Sequence, residues 1–272
     1  MFDKKLESLN VRHKINYGFN FVIKLMVASG ILSIMTLSWV FKDVKKNIGA
    51  SGSLSSTTAV FIIGIILIMF FISLLWWCGI HGPNVVMAIM SPILTANALD
   101  NQSIIDAGQA LVAGDNAKIV TVQMVDIFGK FGGAGITLGF VIAGIIIAKS
   151  KQMKSISKLS LIPGVFNINE PVIFGLPIVF NPLMLIPFII VPVLAVIMTY
   201  ASIALGFIQP FTATQVPWTT PPIISGFLLS GWQGAVLQIA ILAVAIVVYL
   251  PFVFATNKQA KSEAEKQVQI QE

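Results

Sequence analysis

Three stretches of the chain are apolar nearly all the way round: FVIKLMVASGILSIMTLSWVF at 21–41, STTAVFIIGIILIMFFISLLWWCGI at 56–80 and VLQIAILAVAIVVYLPFVF at 236–254. A helix on the surface of a soluble protein keeps a polar face for water, and a bilayer core takes about 20 apolar residues to cross. The pattern therefore predicts membrane-spanning helices over these three stretches. A fourth apolar run, FGGAGITLGFVIAGIIIA at 131–148, carries Gly135 and Gly139 at the small-xxx-small spacing that lets another helix approach closely.

The pattern breaks in three places. Between 96 and 130 the chain turns polar, with Asp100, Asp106, Asp115 and Asp126 among turn-forming residues. This stretch is expected to be a surface or lumen-lining segment with its aspartates solvated. From 160 to 192, prolines fall at 163, 171, 177, 182, 187 and 192, too many for one continuous helix. A second interruption, GFIQPFTATQVPWTTPPIISG at 206–226, is rich in Pro, Thr and Gly yet lies between apolar stretches. Lipid cannot satisfy free backbone N–H and C=O groups, so non-helical chain at membrane depth must be buried in protein or line a watery cavity. Transport proteins use such pairs of interruptions to build a substrate site near the midplane. The fold class expected is all-α, a polytopic transmembrane helical bundle with re-entrant hairpin segments.

Composition agrees. Of 272 residues, 56% are hydrophobic and 10% charged, and the mean hydropathy is +0.90, above the range of water-soluble domains. The polar segments are too short to bury cores of their own, so the reading is one membrane domain, 18–256, between a basic N-terminal segment, 1–17, and a polar, solvated, frayed tail, 257–272. The net charge of +6 sits in short lysine-rich segments at helix ends, the signature of membrane topology. Segments 148–158 and the tail are expected to face the cytoplasm, while the orientation of the first hairpin stays open. Nucleic-acid binding is excluded, because no aromatics interleave with the lysines. The run at 21–41 is too long for a signal peptide and no cleavage site follows it, so it reads as a retained helix. No internal repeat is visible.

Glu170, in NINEPVIFGLP, is the only glutamate between Glu7 and Glu263. A carboxylate in hydrocarbon is costly, and its default reading is functional, paired or facing a cavity; the alternative is a turn cap lifted into interfacial water. Asn169 beside it, with Asn167 and Asn181 around the turn, offers donors and acceptors that suit the hydroxyls of a neutral polar ligand. His81, in WWCGIHGPNVV, stands among helix-breaking Gly79, Gly82 and Pro83 with Asn84 close by; a ligand-binding and a structural histidine remain equally open. Trp218, beside Thr219 and Thr220, is either a platform for the apolar face of a sugar ring or an interfacial belt residue. Trp39, Trp76 and Trp77, at span ends, read more readily as belt residues. Cys78 has no partner and reads as a small buried hydrophobe. His13 and His81 are the only histidines, without metal-ligand spacing. No catalytic triad, carboxylate pair, cofactor loop or nucleophile motif emerges, so any chemistry is done by a partner.

Three motifs, GIHGPN at 79–84, NINEPVIFGLPIVFNP at 167–182 and PWTTPP at 217–222, occur in the order in which they stand in one family. On them the chain resembles the IIC component of the lactose and cellobiose branch of the bacterial phosphoenolpyruvate-dependent sugar phosphotransferase system, over roughly 56–256. The resemblance implies a multi-pass permease of the bacterial cell membrane that carries a β-linked disaccharide of the cellobiose, lactose or chitobiose type. Phosphorylated cytosolic IIB and IIA partners modify the sugar as it emerges. It implies sugar binding by His81, Glu170 and Trp218, with Asn169 adjacent and Asn84 nearby, and leaves phosphoryl chemistry to IIB rather than to Cys78. Members carry an N-terminal set of helices that makes much of a homodimer contact; this chain is expected to lack it, as a fragment or a split subunit. Two other readings stay open: an ion-coupled secondary transporter using Glu170, and an inactive or accessory membrane subunit.

Overall fold

A computed structural model of the protein describes residues 54–176 and 178–271, with side chains over 60–176 and 178–256. The predicted span at 21–41, the segment 1–17, the basic loop at 42–46 and Trp39 lie outside the described residues. The chain divides into two compact units, 1–60 and 61–272, and the account below concerns the second.

Its helices are α1 (Leu54–Trp77), α2 (Gly82–Asp106), α3 (Thr137–Ile147), α4 (Lys151–Val165), α5 (Glu170–Gly175), α6 (Pro182–Ala204) and α7 (Ile224–Gln271). A π-helical turn over Met124–Gly129 and a 3-10 turn over Ala134–Ile136 precede α3. Among the described residues five segments are long and apolar enough to cross a membrane: Val60–Trp77, Gly82–Asp106, Met124–Ile147, Pro182–Ala204 and Ile224–Thr256. The segment ending in α3 is 72% buried against 28–44% for the others, so it is the centre around which the rest pack. Outward faces stay apolar, as at Leu159, Ile162, Val247 and Phe254, which is what lipid as solvent requires.

Two predicted spans, 56–80 and 236–254, fall on α1 and α7. The polar stretch from 96 begins as helix: 96–106 completes α2, with Asp100 and Asp106 exposed at the surface as expected. Its inward face is satisfied within the protein. The fully buried Asn101 donates to the Lys118 and Phe211 carbonyls and accepts from the Lys118 N–H, and Asn97 donates to the Val120 carbonyl. These amides pin the irregular segment after α2 to the helix.

The proline-rich stretch breaks as expected, between α4 and α5 and again between α5 and α6. Pro163, Pro187 and Pro192 nevertheless sit inside helices. The second interruption leaves residues 205–223 without regular helix. Gly139 takes its expected role: a Cβ there would lie 2.7 Å from that of Ala245 on α7. Gly135 does not share its helix; at φ +78 it turns the chain into α3, and its carbonyl accepts from the buried Tyr249 hydroxyl.

Helix α7 is broken at Ser230 and Gly231, where the dihedrals are non-helical and the chain doubles back. Gln238, fully buried, accepts from the Ile223 and Gly226 N–H groups on the first arm and donates to the Ile127 carbonyl. Gly226 and Gly234 face each other so closely that neither could carry a Cβ. The polar tail continues α7 as helix to Gln271 rather than fraying at 257. The hydrogen bonds of the last described span simply carry on into a segment of good helix formers, Lys, Ala, Glu and Gln.

Candidate functional site

The site begins where α1 ends. Gly82 opens α2 so close to α1 that a Cβ would fall 2.0 Å from the Ile72 carbonyl oxygen, and Pro83 occupies the first turn. His81 thereby becomes the N-cap of α2, with its Nδ1 accepting the Asn84 N–H at 3.3 Å. A neutral imidazole whose Nδ1 accepts carries its proton on Nε2, and Nε2 lies 4.0 Å from Glu170 Oε1. The two side chains are 43% and 45% exposed, so the pair is open to a ligand. The Trp76 ring lies under His81 at a centroid distance of 4.6 Å.

Glu170 is held by the turn before α5. Asn169 is buried, donates to the Ala134 carbonyl at 2.9 Å, and accepts at its own carbonyl from Val172 and Ile173. Asn167 takes the left-handed conformation (φ +66) that asparagine tolerates. Its carboxamide accepts from the Gly132 N–H and donates to the Trp218 carbonyl at 2.6 Å and the Thr220 carbonyl at 3.0 Å. One side chain thus ties together the glycine bend before α3 and both interruptions predicted from sequence. Gly133, at φ +91, must be glycine here, because a Cβ would lie 2.4 Å from that of Asn169.

These elements enclose a cavity of about 430 Å³ that His81, Asn84, Asn169, Glu170 and Trp218 all line, within the size range of small-molecule sites. Asn167 lines the cavity as well, with its carboxamide engaged in the bonds above, whereas the Asn181 carboxamide caps α6 by accepting the Leu183 N–H. Asp126, expected to be solvated, is one-third exposed and paired with Lys130 at 2.8 Å, and both residues line the cavity. Their i,i+4 spacing and opposite charge were visible in the sequence, but nothing local placed them in the pocket. Trp76, read as a belt residue, is 3% exposed and lines the cavity too. Trp77 donates to the Asn181 carbonyl at 2.8 Å. Cys78 is buried as expected.

The cavity offers one indole face at its rim, a carboxylate, an imidazole N–H, carboxamides and one internally compensated ion pair. Such a set suits a neutral ligand with an apolar ring face and many hydroxyls.

The model of the family "Phosphotransferase system, EIIC" matches residues 10–192. The "Lichenan permease IIC component" of Bacillus subtilis (strain 168) is 45% identical over 192 residues, 70% of this chain and 41% of that protein. The "PTS system cellobiose-specific EIIC component" of Lactococcus lactis subsp. lactis (strain IL1403) is 36% identical over 223 residues, 75% of this chain and 45% of that protein. Among solved structures, the transporter ChbC, described as the IIC component from the N,N'-diacetylchitobiose-specific phosphotransferase system, superposes with a TM-score of 0.69 at 40% identity. That match covers 75% of this chain and 46% of that one. The chain spans less than half the length of these relatives.

Proposed function

Since the chain belongs to the EIIC family of the phosphotransferase system, an integral plasma-membrane family, we propose that the cavity between His81, Glu170 and Trp218 is the sugar site of a permease for β-linked disaccharides. The observation that carries this is the convergence, on one cavity, of three motifs far apart in sequence. The names of the relatives, lichenan, cellobiose and N,N'-diacetylchitobiose, support the substrate class.

Trp218, 59% exposed at the rim, stacks on the sugar ring, and Glu170 accepts hydrogen bonds from its hydroxyls. The His81 Nε2–H either donates to a sugar oxygen or holds Glu170 in place. Phosphoryl transfer is done by the cytosolic IIB component, recharged by IIA. The sugar hydroxyl attacks the phosphorus of the IIB phosphocysteine, the thiolate leaves, and Glu170 takes the hydroxyl proton. The remainder of the permease, with lipid around the exposed apolar faces, completes a homodimer that carries the site between the membrane faces.

The test is binding of cellobiose, lactose and chitobiose to the chain in detergent, repeated with Glu170→Gln. Saturable binding of at least one sugar, weakened in the variant, is the expected result. Unchanged affinity for every sugar sinks the role of Glu170.

A further inference from the structure

A second cavity, of about 780 Å³, lies at the other end of the bundle. Helix α2 places the two: His81 and Asn84 at its start line the first cavity, and Ile105 at its end lines the second. At 25 residues α2 is about 37 Å long, close to a membrane thickness. The 205–223 ribbon joins the two cavities, since Gln209 to Thr212 line the second and Trp218 the first. The remaining wall is the tip of the α7 hairpin, Leu229 to Gly231 with Gln233.

The second arm of α7 spans the distance between the two ends: Gly231 lines the second cavity, and Thr256 at the other end of the arm reaches Met184 near the start of α6.

The lining of the second cavity differs in kind from that of the first. Among the described residues no ionisable side chain lines it. The polar groups are the carboxamides of Gln109, Gln209 and Gln233 and the hydroxyls of Thr212, Thr214 and Ser230. Each of these can both donate and accept, as sugar hydroxyls do, whereas an ionic ligand would meet no counter-charge. Phe207, 41% exposed and packed edge-on against Trp232 at 5.8 Å, adds an aromatic surface. The loop is held in shape by Gln123, whose amide donates to the Thr212 and Thr214 carbonyls. The Ser230 hydroxyl, at the turn of the hairpin, has no hydrogen-bond partner among the described residues.

We propose that this cavity is a second binding site for a neutral sugar, at the opposite end of the bundle from Glu170. The proposal rests on the sugar-site reading above. Its occupant is the unphosphorylated sugar, since a phosphate would bring charge into a site with none to offset it.

The test uses the full chain in detergent, carrying Thr212→Cys or, separately, Thr214→Cys, labelled with a maleimide. The native Cys78 is buried and gives only a slow background. Cellobiose at about ten times the Kd of the site should slow labelling about tenfold, and equally so with Glu170→Gln added. Unchanged labelling rates at both positions overturn the proposal. So does protection that disappears with Glu170→Gln, because the effect then comes from the first cavity. Equal protection by glucose 6-phosphate overturns the neutral-ligand class. Failure of the first site reads out separately, as Glu170-independent affinity in the detergent binding assay, with the protection at Thr212→Cys still present.

Discussion

Asn167 donates to the Trp218 carbonyl at 2.6 Å across 51 residues of sequence, so the two breaks in the helical pattern are one structure. The same amide holds the Thr220 carbonyl and the Gly132 N–H. Replacing it with alanine removes all three bonds and leaves partly buried backbone groups unpaired. Asn167→Ala should destabilise the chain by about 1–3 kcal/mol and weaken cellobiose binding by freeing Trp218. Asn167→Asp, which cannot donate, should not restore binding. Thermal unfolding and equilibrium binding in detergent check both.

The His81–Glu170 pair should matter to ligand and hardly to fold. At 4.0 Å and more than 40% exposure, it contributes under about 1 kcal/mol to stability. Glu170→Gln should therefore melt close to the parent chain, while His81→Gln, which also loses the cap on the Asn84 N–H, gives up about 1 kcal/mol. In both, sugar affinity falls about tenfold to a hundredfold, the worth of a hydrogen bond to a charged group. A large loss of melting temperature in Glu170→Gln would contradict this separation.

Gly133→Ala tests the bend beneath Asn169. The new methyl meets Asn169 at 2.4 Å, with the backbone at φ +91, so both strain and collision push the Asn169–Glu170 turn away from the cavity. The expected cost is about 1–3 kcal/mol of stability, with reduced sugar affinity. Gly108, at φ +75 with nothing within 4 Å, gives the control: Gly108→Ala should carry the strain cost and leave binding unchanged.

Gln238→Leu should damage the fold most. Its carboxamide serves the Ile223 and Gly226 N–H groups, the Ser225 hydroxyl and the Ile127 carbonyl from a fully buried position. Leucine fills similar volume but leaves these groups orphaned, at a cost of at least about 3 kcal/mol. The measurement is thermal unfolding in detergent; a change under about 1 kcal/mol would mean that the α7 hairpin does not depend on this side chain.

The membrane class, the spans at α1 and α7, the two interruptions and the candidates His81, Glu170 and Trp218 were all legible in the sequence. They rest on local properties: a helix with no polar face cannot live in water, proline cannot donate to a helix ladder, and a lone carboxylate in hydrocarbon needs a reason. Which side chains line the cavity and which bonds they make within the protein was decided only by the tertiary structure. Asn167 and Asn169 look alike in sequence, yet their amides reach the Trp218 and Ala134 carbonyls, 51 and 35 residues away. Trp76, Asp126 and Lys130 enter the cavity because α1 and the π turn are brought against the α4–α5 loop, and the second cavity exists because α7 doubles back at Gly231. Such contacts depend on how elements separated by tens of residues pack, and neither hydrophobic pattern nor residue spacing records that.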